Sequence, residues 1–244
     1  MERTERDLRR RLCPWRPRHQ LSALRLLLFF SVAVTFTTAC TGSPPEILQT
    51  EVHLEYVDNL DLEVTYEQLT AFVLVRDEDG FGDIRTLYLI HDQAELYWQL
   101  NSDSWTHRRS SGEDWVGFSG ITMADWSAMP RGRYRLVVMD AAGEIDERAV
   151  SIDAPALEAV RNHMPRFDAR SQRVTVPSGG ALLLSFAEDN DVPVARERAL
   201  SAGEYTVAEL LGDPGSERAA PRSPVYLYVE LGSHYGSLSG PFRP

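Results

Sequence analysis

The chain has 244 residues, 43% of them hydrophobic, which is enough to bury a sizeable core in one large or two small domains. Its formal net charge is -11, and the first 39 residues contribute +5 (eight Arg against Glu2, Glu5 and Asp7), so the remainder carries -16. That balance argues against a nucleic-acid partner, whose phosphates need a basic surface, and disfavours docking on anionic lipid by charge. All 25 basic residues other than histidine are arginine, so Schiff-base chemistry and a P-loop lysine are excluded as well.

Residues 1–39 read as an export signal. An arginine-rich start (Arg3, Arg6, Arg9, Arg10, Arg11, Arg16, Arg18) precedes the uncharged run 26–39, whose length of about 14 residues falls short of the roughly 20 that span a bilayer as a helix. The run ends in Thr37-Thr38-Ala39-Cys40, which resembles the lipobox of bacterial lipoproteins. The resemblance implies that Cys40 is diacylated and becomes the mature N-terminus. It also implies a membrane-anchored place in the bacterial cell envelope, on the outer membrane rather than the inner, because Thr41 stands where an inner-membrane retention signal has Asp. The only other cysteine, Cys13, lies in the segment that would be removed. Ordinary cleavage after Ala39, leaving Cys40 unmodified, and an uncleaved anchor remain open. Acyl chains contribute about 0.8 kcal/mol per buried methylene, so two or more hold a protein stably on a membrane. Residues 40–47 form the lipidated tether.

The next segment, 48–153, predicts seven strands. Val52, Leu54 and Tyr56 alternate with polar residues, and 69–75 (LTAFVLV) is a denser apolar run suited to the middle of a sandwich. Strands follow at 84–91, 94–100, 115–123, 133–139 and 147–152, the last two joined by the turn Asp140-Ala-Ala-Gly143. The fold class expected is all-β, an immunoglobulin-like β-sandwich followed by a short helix and a smaller second β unit. Met129-Pro130-Arg131-Gly132-Arg133-Tyr134 resembles the L-x-P-G-x-x-Y region of fibronectin type III domains. The resemblance makes Tyr134 a corner tyrosine whose hydroxyl bonds back to nearby backbone; an ordinary β-turn at Gly132 is the alternative.

Residues 154–164 have Leu157, Val160 and Met164 at helical spacing between Pro155 and Pro165, which predicts a connecting helix. Strand-like runs then occupy 172–176, 181–186, 203–211 and 225–231, so residues 165–244 form a second small β domain or an extension of the first. Leu200-Ser-Ala-Gly203-Glu-Tyr205 echoes 129–134 and hints at a repeat.

Three features are candidates for chemistry. The acidic loop 77–83 offers Asp77, Asp79 and Asp83 as metal ligands, since alternate carboxylates around a glycine suit a hard cation. It is not an EF-hand: with Gly80 at the invariant glycine, Val75 and Thr86 fall at the first and last ligand positions. Asp-Gly is also a plain turn signal, so a solvated turn is the competing reading. Trp105, Trp115 and Trp126 are candidate ligand-binding residues for a sugar or peptide, whereas Trp98, on a strand, suits the core. His53, His91, His107, His163 and His234 show no metal or triad spacing, and H-E-x-x-H, G-x-S-x-G and S-x-x-K are all absent. The functional expectation is an envelope lipoprotein acting as a binding or assembly module rather than an enzyme, with no cofactor, its partners being the membrane through the lipid and an envelope protein or glycan. A carbohydrate-binding module is the alternative, and an envelope enzyme with catalytic groups gathered from distant positions is a second.

Overall fold

A computed structural model describes residues 42–189, 192–212 and 224–243, so the export signal and Cys40 lie outside the described residues. Gly42–Pro244 forms one compact unit. Two hydrophobic cores lie within it, and one sheet runs through both.

The first core is closed by eight strands: β1 (Glu46–Asn59), β2 (Val64–Arg76), β3 (Ile84–His91), β4 (Leu96–Asn101), β5 (Thr106–Ser110), β6 (Glu113–Thr122), β7 (Gly132–Asp140) and β8 (Ile145–Ile152). They form two layers, β1-β2-β6-β5 and β4-β3-β7-β8, joined within each layer by antiparallel pairs. Named A to G in chain order, with β4 as C′, this is the A-B-E-D and C′-C-F-G arrangement of an immunoglobulin-like sandwich. Period-two alternation does the sorting: Leu69, Ala71, Val73 and Val75 of β2 and Val116 and Phe118 of β6 point inward. There they meet Leu87 and Leu89 of β3 and Leu136 and Val138 of β7.

A short helix (Leu157–Val160), continued by a 3-10 turn (Arg161–His163), leads onward; the helix expected over 154–164 is thus only its middle, with Val160 and Met164 buried. The second core is enclosed by β9 (Arg166–Asp168), β10 (Arg173–Val176), β11 (Ala181–Asp189), β12 (Val192–Leu200), β13 (Gly203–Thr206), β14 (Val225–Gly232) and β15 (Tyr235–Phe242). The strand expected over 203–211 is a correction. Only β13 is extended, and residues 207–211 turn helical because Thr206 Oγ1 accepts the Glu209 N–H while the Glu209 carboxylate accepts the Thr206 N–H, a capping box.

β15 runs parallel to β1, pairing Leu54 with Tyr235 through Asn59 with Gly240. The result is an eight-stranded sheet, β12-β11-β14-β15-β1-β2-β6-β5, covered by β4-β3-β7-β8 at one end and β13-β10-β9 at the other. Two matching corners carry the chain from this sheet to its covers. Between β6 and β7 the Tyr134 hydroxyl donates to the Pro130 carbonyl at 2.7 Å; between β12 and β13 the Tyr205 hydroxyl donates to the Ser201 carbonyl at 2.9 Å. Each tyrosine reaches back four residues, and each following strand begins at the intervening glycine, Gly132 or Gly203. Burial pushes the Tyr134 phenol up to about 12.

Beside the first corner, Arg131 spends its guanidinium donors on five bonds. Nε donates to the Ala154 carbonyl, Nη1 to Glu67 Oε2 and the Met129 carbonyl, and Nη2 to Glu67 Oε1 and the Pro155 carbonyl. Glu67 is 3% exposed, in phase with the core residues of β2, and also accepts the Met129 N–H. The Tyr56 hydroxyl of β1 donates to the same Pro155 carbonyl. One ion pair therefore ties β2, the corner and the connector between the two cores. Removing one partner of a buried pair costs about 3–5 kcal/mol because the other charge stays buried. Arg131→Met is accordingly expected to destabilise the chain by about that amount in urea unfolding, with Glu67→Gln/Arg131→Met together losing less than the sum of the single changes.

Candidate functional site

The loop between β2 and β3 folds on its own hydrogen bonds. Asp77 Oδ1 accepts the Asp79 N–H at 2.8 Å, the Asp77 carbonyl accepts the Gly80 N–H at 3.1 Å, and the Gly80 carbonyl accepts the Asp83 N–H at 2.9 Å. Gly80, at φ 97, supplies the left-handed backbone that this tight reversal needs. The turn brings Asp77 and Asp83 to one side, and the pairing of Ile84 with Asp140 sets the end of β7 beside them. Carboxylate oxygens of Asp77, Asp83 and Asp140 lie within 4.8 Å of one another.

Of the three expected residues the fold brings Asp77 and Asp83 together, with Asp140 beside them, while Asp79 faces elsewhere. Asp79 Oδ2 accepts the Ser43 N–H at 2.9 Å, and Glu78 accepts the Ser43 hydroxyl at 2.8 Å, so the loop grips the start of the described chain. Asp140 is 2% exposed; its Oδ1 accepts the Glu144 N–H at 2.7 Å. Buried Asp77 Oδ2, Asp140 Oδ2 and Glu144 Oε2 accept no hydrogen bond. Burial, and then the charges of Asp79, Asp83 and Asp140, hold the Asp77 carboxyl above its usual range against the Asp79 N–H that lowers it. Crowded carboxylates of this kind repel one another and attract a cation.

The tryptophans do not assemble into one face. Trp115 is 8% exposed, on the face of β6 opposite Val116 and Phe118, and is removed from any surface set. Trp105 is half-buried, packed against the first core with Phe81 at 6.4 Å. Trp126 is 44% exposed, has φ 60, and rests on Tyr66 with ring centroids 4.4 Å apart. Through β6, Thr106 lies level with Phe72, six positions along β2 from Tyr66, so Trp105 and Trp126 are separated by several residues at about 3.3 Å each.

The histidines join no metal-binding group among the described residues. His91 is buried, accepting the Ala94 N–H on Nδ1 and bonding the Arg131 carbonyl through Nε2; His53 contacts the Tyr228 hydroxyl; His107 pairs with Asp114 at 2.9 Å and stacks on Phe81. Asp92, adjacent to His91 in the chain, binds Arg135 instead.

No protein-family model matches the chain, and no curated protein matches it. Among solved structures it is similar to Tp47, the 47-kilodalton lipoprotein of Treponema pallidum, at 12% identity and a TM-score of 0.38, over 83% of this chain and 52% of that one. It is also similar to dimeric latent PorU from Porphyromonas gingivalis, at 15% identity and a TM-score of 0.30, over 81% of this chain and 20% of that one. The chain therefore spans about half the length of the first and a fifth of the second. Among the described residues no helix is long and apolar enough to cross a membrane.

The burial contrast has a direct consequence. Trp115→Ala is expected to cost about 3 kcal/mol or more in chemical unfolding, as for a buried aromatic, whereas Trp126→Ala should stay within about 1 kcal/mol of the parent.

Proposed function

We propose that this chain is a lipid-anchored protein of the bacterial cell envelope in which acyl groups on Cys40 hold the two-core β body at a membrane and that body acts as a binding or assembly module. The observation that carries the reading is the segment 21–40, in which an uncharged run (26–39) too short to span follows an arginine-rich start and leads into Cys40 through Thr37-Thr38-Ala39. The placement of the next residues supports it. Ser43 is held by Glu78 and Asp79 and β1 begins at Glu46, so the folded body starts within a few residues of Cys40 in the sequence. Pro44, Pro45 and the 55%-exposed Ile145 line one shallow concavity beside this entry point.

Thr41, in place of Asp, favours the outer membrane as the destination. A glycan is the second reading, favoured at one place: Trp126 is exposed, held in a left-handed backbone conformation that a bulky residue rarely adopts, and backed by Tyr66.

Intact mass of the protein extracted from membranes tests the anchor. The expected species starts at Cys40 and carries acyl chains, and Cys40→Ser moves the protein out of the membrane fraction. A species retaining residues 1–39, or one starting at Cys40 with no added mass, contradicts the reading.

A further inference from the structure

We propose that Asp77, Asp83 and Asp140 bind one calcium ion, which fastens the β2–β3 loop to the end of β7. The three side chains come from segments more than 50 residues apart and are brought together by the β3–β7 register, in which Ile84 lies opposite Asp140. Each offers a carboxylate oxygen, and the three oxygens lie within 4.8 Å of one another. Two oxygens sharing a calcium ion at about 2.3–2.6 Å are separated by at most about 5 Å, so the set fits around one such ion; magnesium, at about 2.0–2.1 Å and with strict octahedral angles, demands a tighter cage. An all-carboxylate donor set suits hard cations and not zinc or copper, which prefer nitrogen and sulfur.

A second, independent observation points to a ligand. Asp140 is 2% exposed and its Oδ2 accepts no hydrogen bond; Asp77 Oδ2 is likewise buried and unpartnered. Buried anionic oxygens normally have a donor or a counter-charge, because burial removes the water that would otherwise solvate them. Neighbouring arginines have other partners: Arg85 the Gly82 carbonyl, Arg76 Glu46, and Arg148 Asp146 and the Ile47 carbonyl. Among the described residues no ion pair reaches Asp77, Asp83 or Asp140. A cation supplies the positive charge that the protein does not.

The site also has a mechanical setting. Glu78 and Asp79, which hold Ser43, belong to the same loop as two of the three ligands, and a Cβ at Gly42 would lie 3.1 Å from Asp79 Oδ2. Filling the site would brace, against the end of β7, the loop that also holds Ser43. This inference stands whether or not Cys40 is acylated, because it rests on the folded body alone.

The test uses the full chain purified in detergent, stripped with a chelator and titrated with calcium chloride by calorimetry, with thermal melting alongside. One site is expected, with a Kd of roughly 0.1–1 mM as in extracellular calcium modules, and the melting temperature rises with calcium and less with the same concentration of magnesium chloride. Asp140→Asn keeps the Oδ1 acceptor for Glu144 but removes a charge. It should weaken calcium binding at least about tenfold and, in chelator, melt no lower than the parent because like-charge repulsion is relieved. Asp83→Asn, at a half-buried position, carries the same test should Asp140→Asn fail to fold. A parent chain with no saturable calcium response, an equal response to magnesium, or an undiminished response in the foldable variant overturns the proposal.

Discussion

Strand β1 has hydrogen-bonding partners on both edges, and the rest of the architecture follows from that. It pairs with β2 along its whole length and with β15 along its second half, from Leu54 to Asn59. An immunoglobulin-like sandwich on its own leaves its first strand as an open edge, a row of unpaired backbone groups that invites association with other chains. Here the last strand of the second unit covers that edge. The Leu54 N–H donates to the His234 carbonyl and the Leu60 N–H to the Gly240 carbonyl, so the ladder is framed at both ends. Covering the edge and joining the two units are one event.

A parallel ladder of six residue pairs is a modest fastening, since parallel pairing is slightly weaker per residue and each backbone bond contributes only about 0.5–1.5 kcal/mol net. The Glu67–Arg131 pair reinforces it from the other direction. By holding the Ala154 and Pro155 carbonyls, Arg131 fixes where the chain leaves the first core, and β1 holds Pro155 as well through Tyr56. The connector is thereby held at the point where the chain passes from the first core to the second. The repeated tyrosine corner shows the same design twice: a strand of the shared sheet, a hydroxyl bonded four residues back, then a strand of the cover.

Much of the first sandwich was legible because its core strands are buried on one face and alternate accordingly; residues 84–91 match β3 end to end. The strands that were missed had physical reasons to be quiet. β5 (THRRS) is an edge strand with no large apolar residue. β15 (YGSLSGPF) is central yet rich in small residues, because a side chain at Gly236 would strike the Tyr228 ring across the ladder; its buried Ser237 and Ser239 disguise it as a loop. Glu67 carries a signal of its own: a charge in phase with Leu69, Ala71 and Val73 demands a buried partner. The acidic site was half visible. Asp77 and Asp83 follow from the loop, but Asp140 enters only through the β3–β7 register, and Asp79 leaves only because Ser43 is folded against it. Trp115 and Trp126 could not be told apart from their neighbours alone, since which face of β6 is covered depends on the packing of the whole sheet.

The acidic site, the tether entry and the short concavity beside it all lie at one pole of the first sandwich, and the second unit joins β1 along its opposite half. The proposed anchoring and cation binding would both act at one end of a body whose integrity depends on the β1–β15 ladder. Native-state hydrogen exchange across that ladder tests the claim most directly. The account predicts that the interior amides of β15 and those of β1 between Leu54 and Asn59 open together, with the same free energy as global unfolding. If β14 and β15 instead exchange as a separate, less stable unit while β1 stays protected, the two units are independent and the account is contradicted.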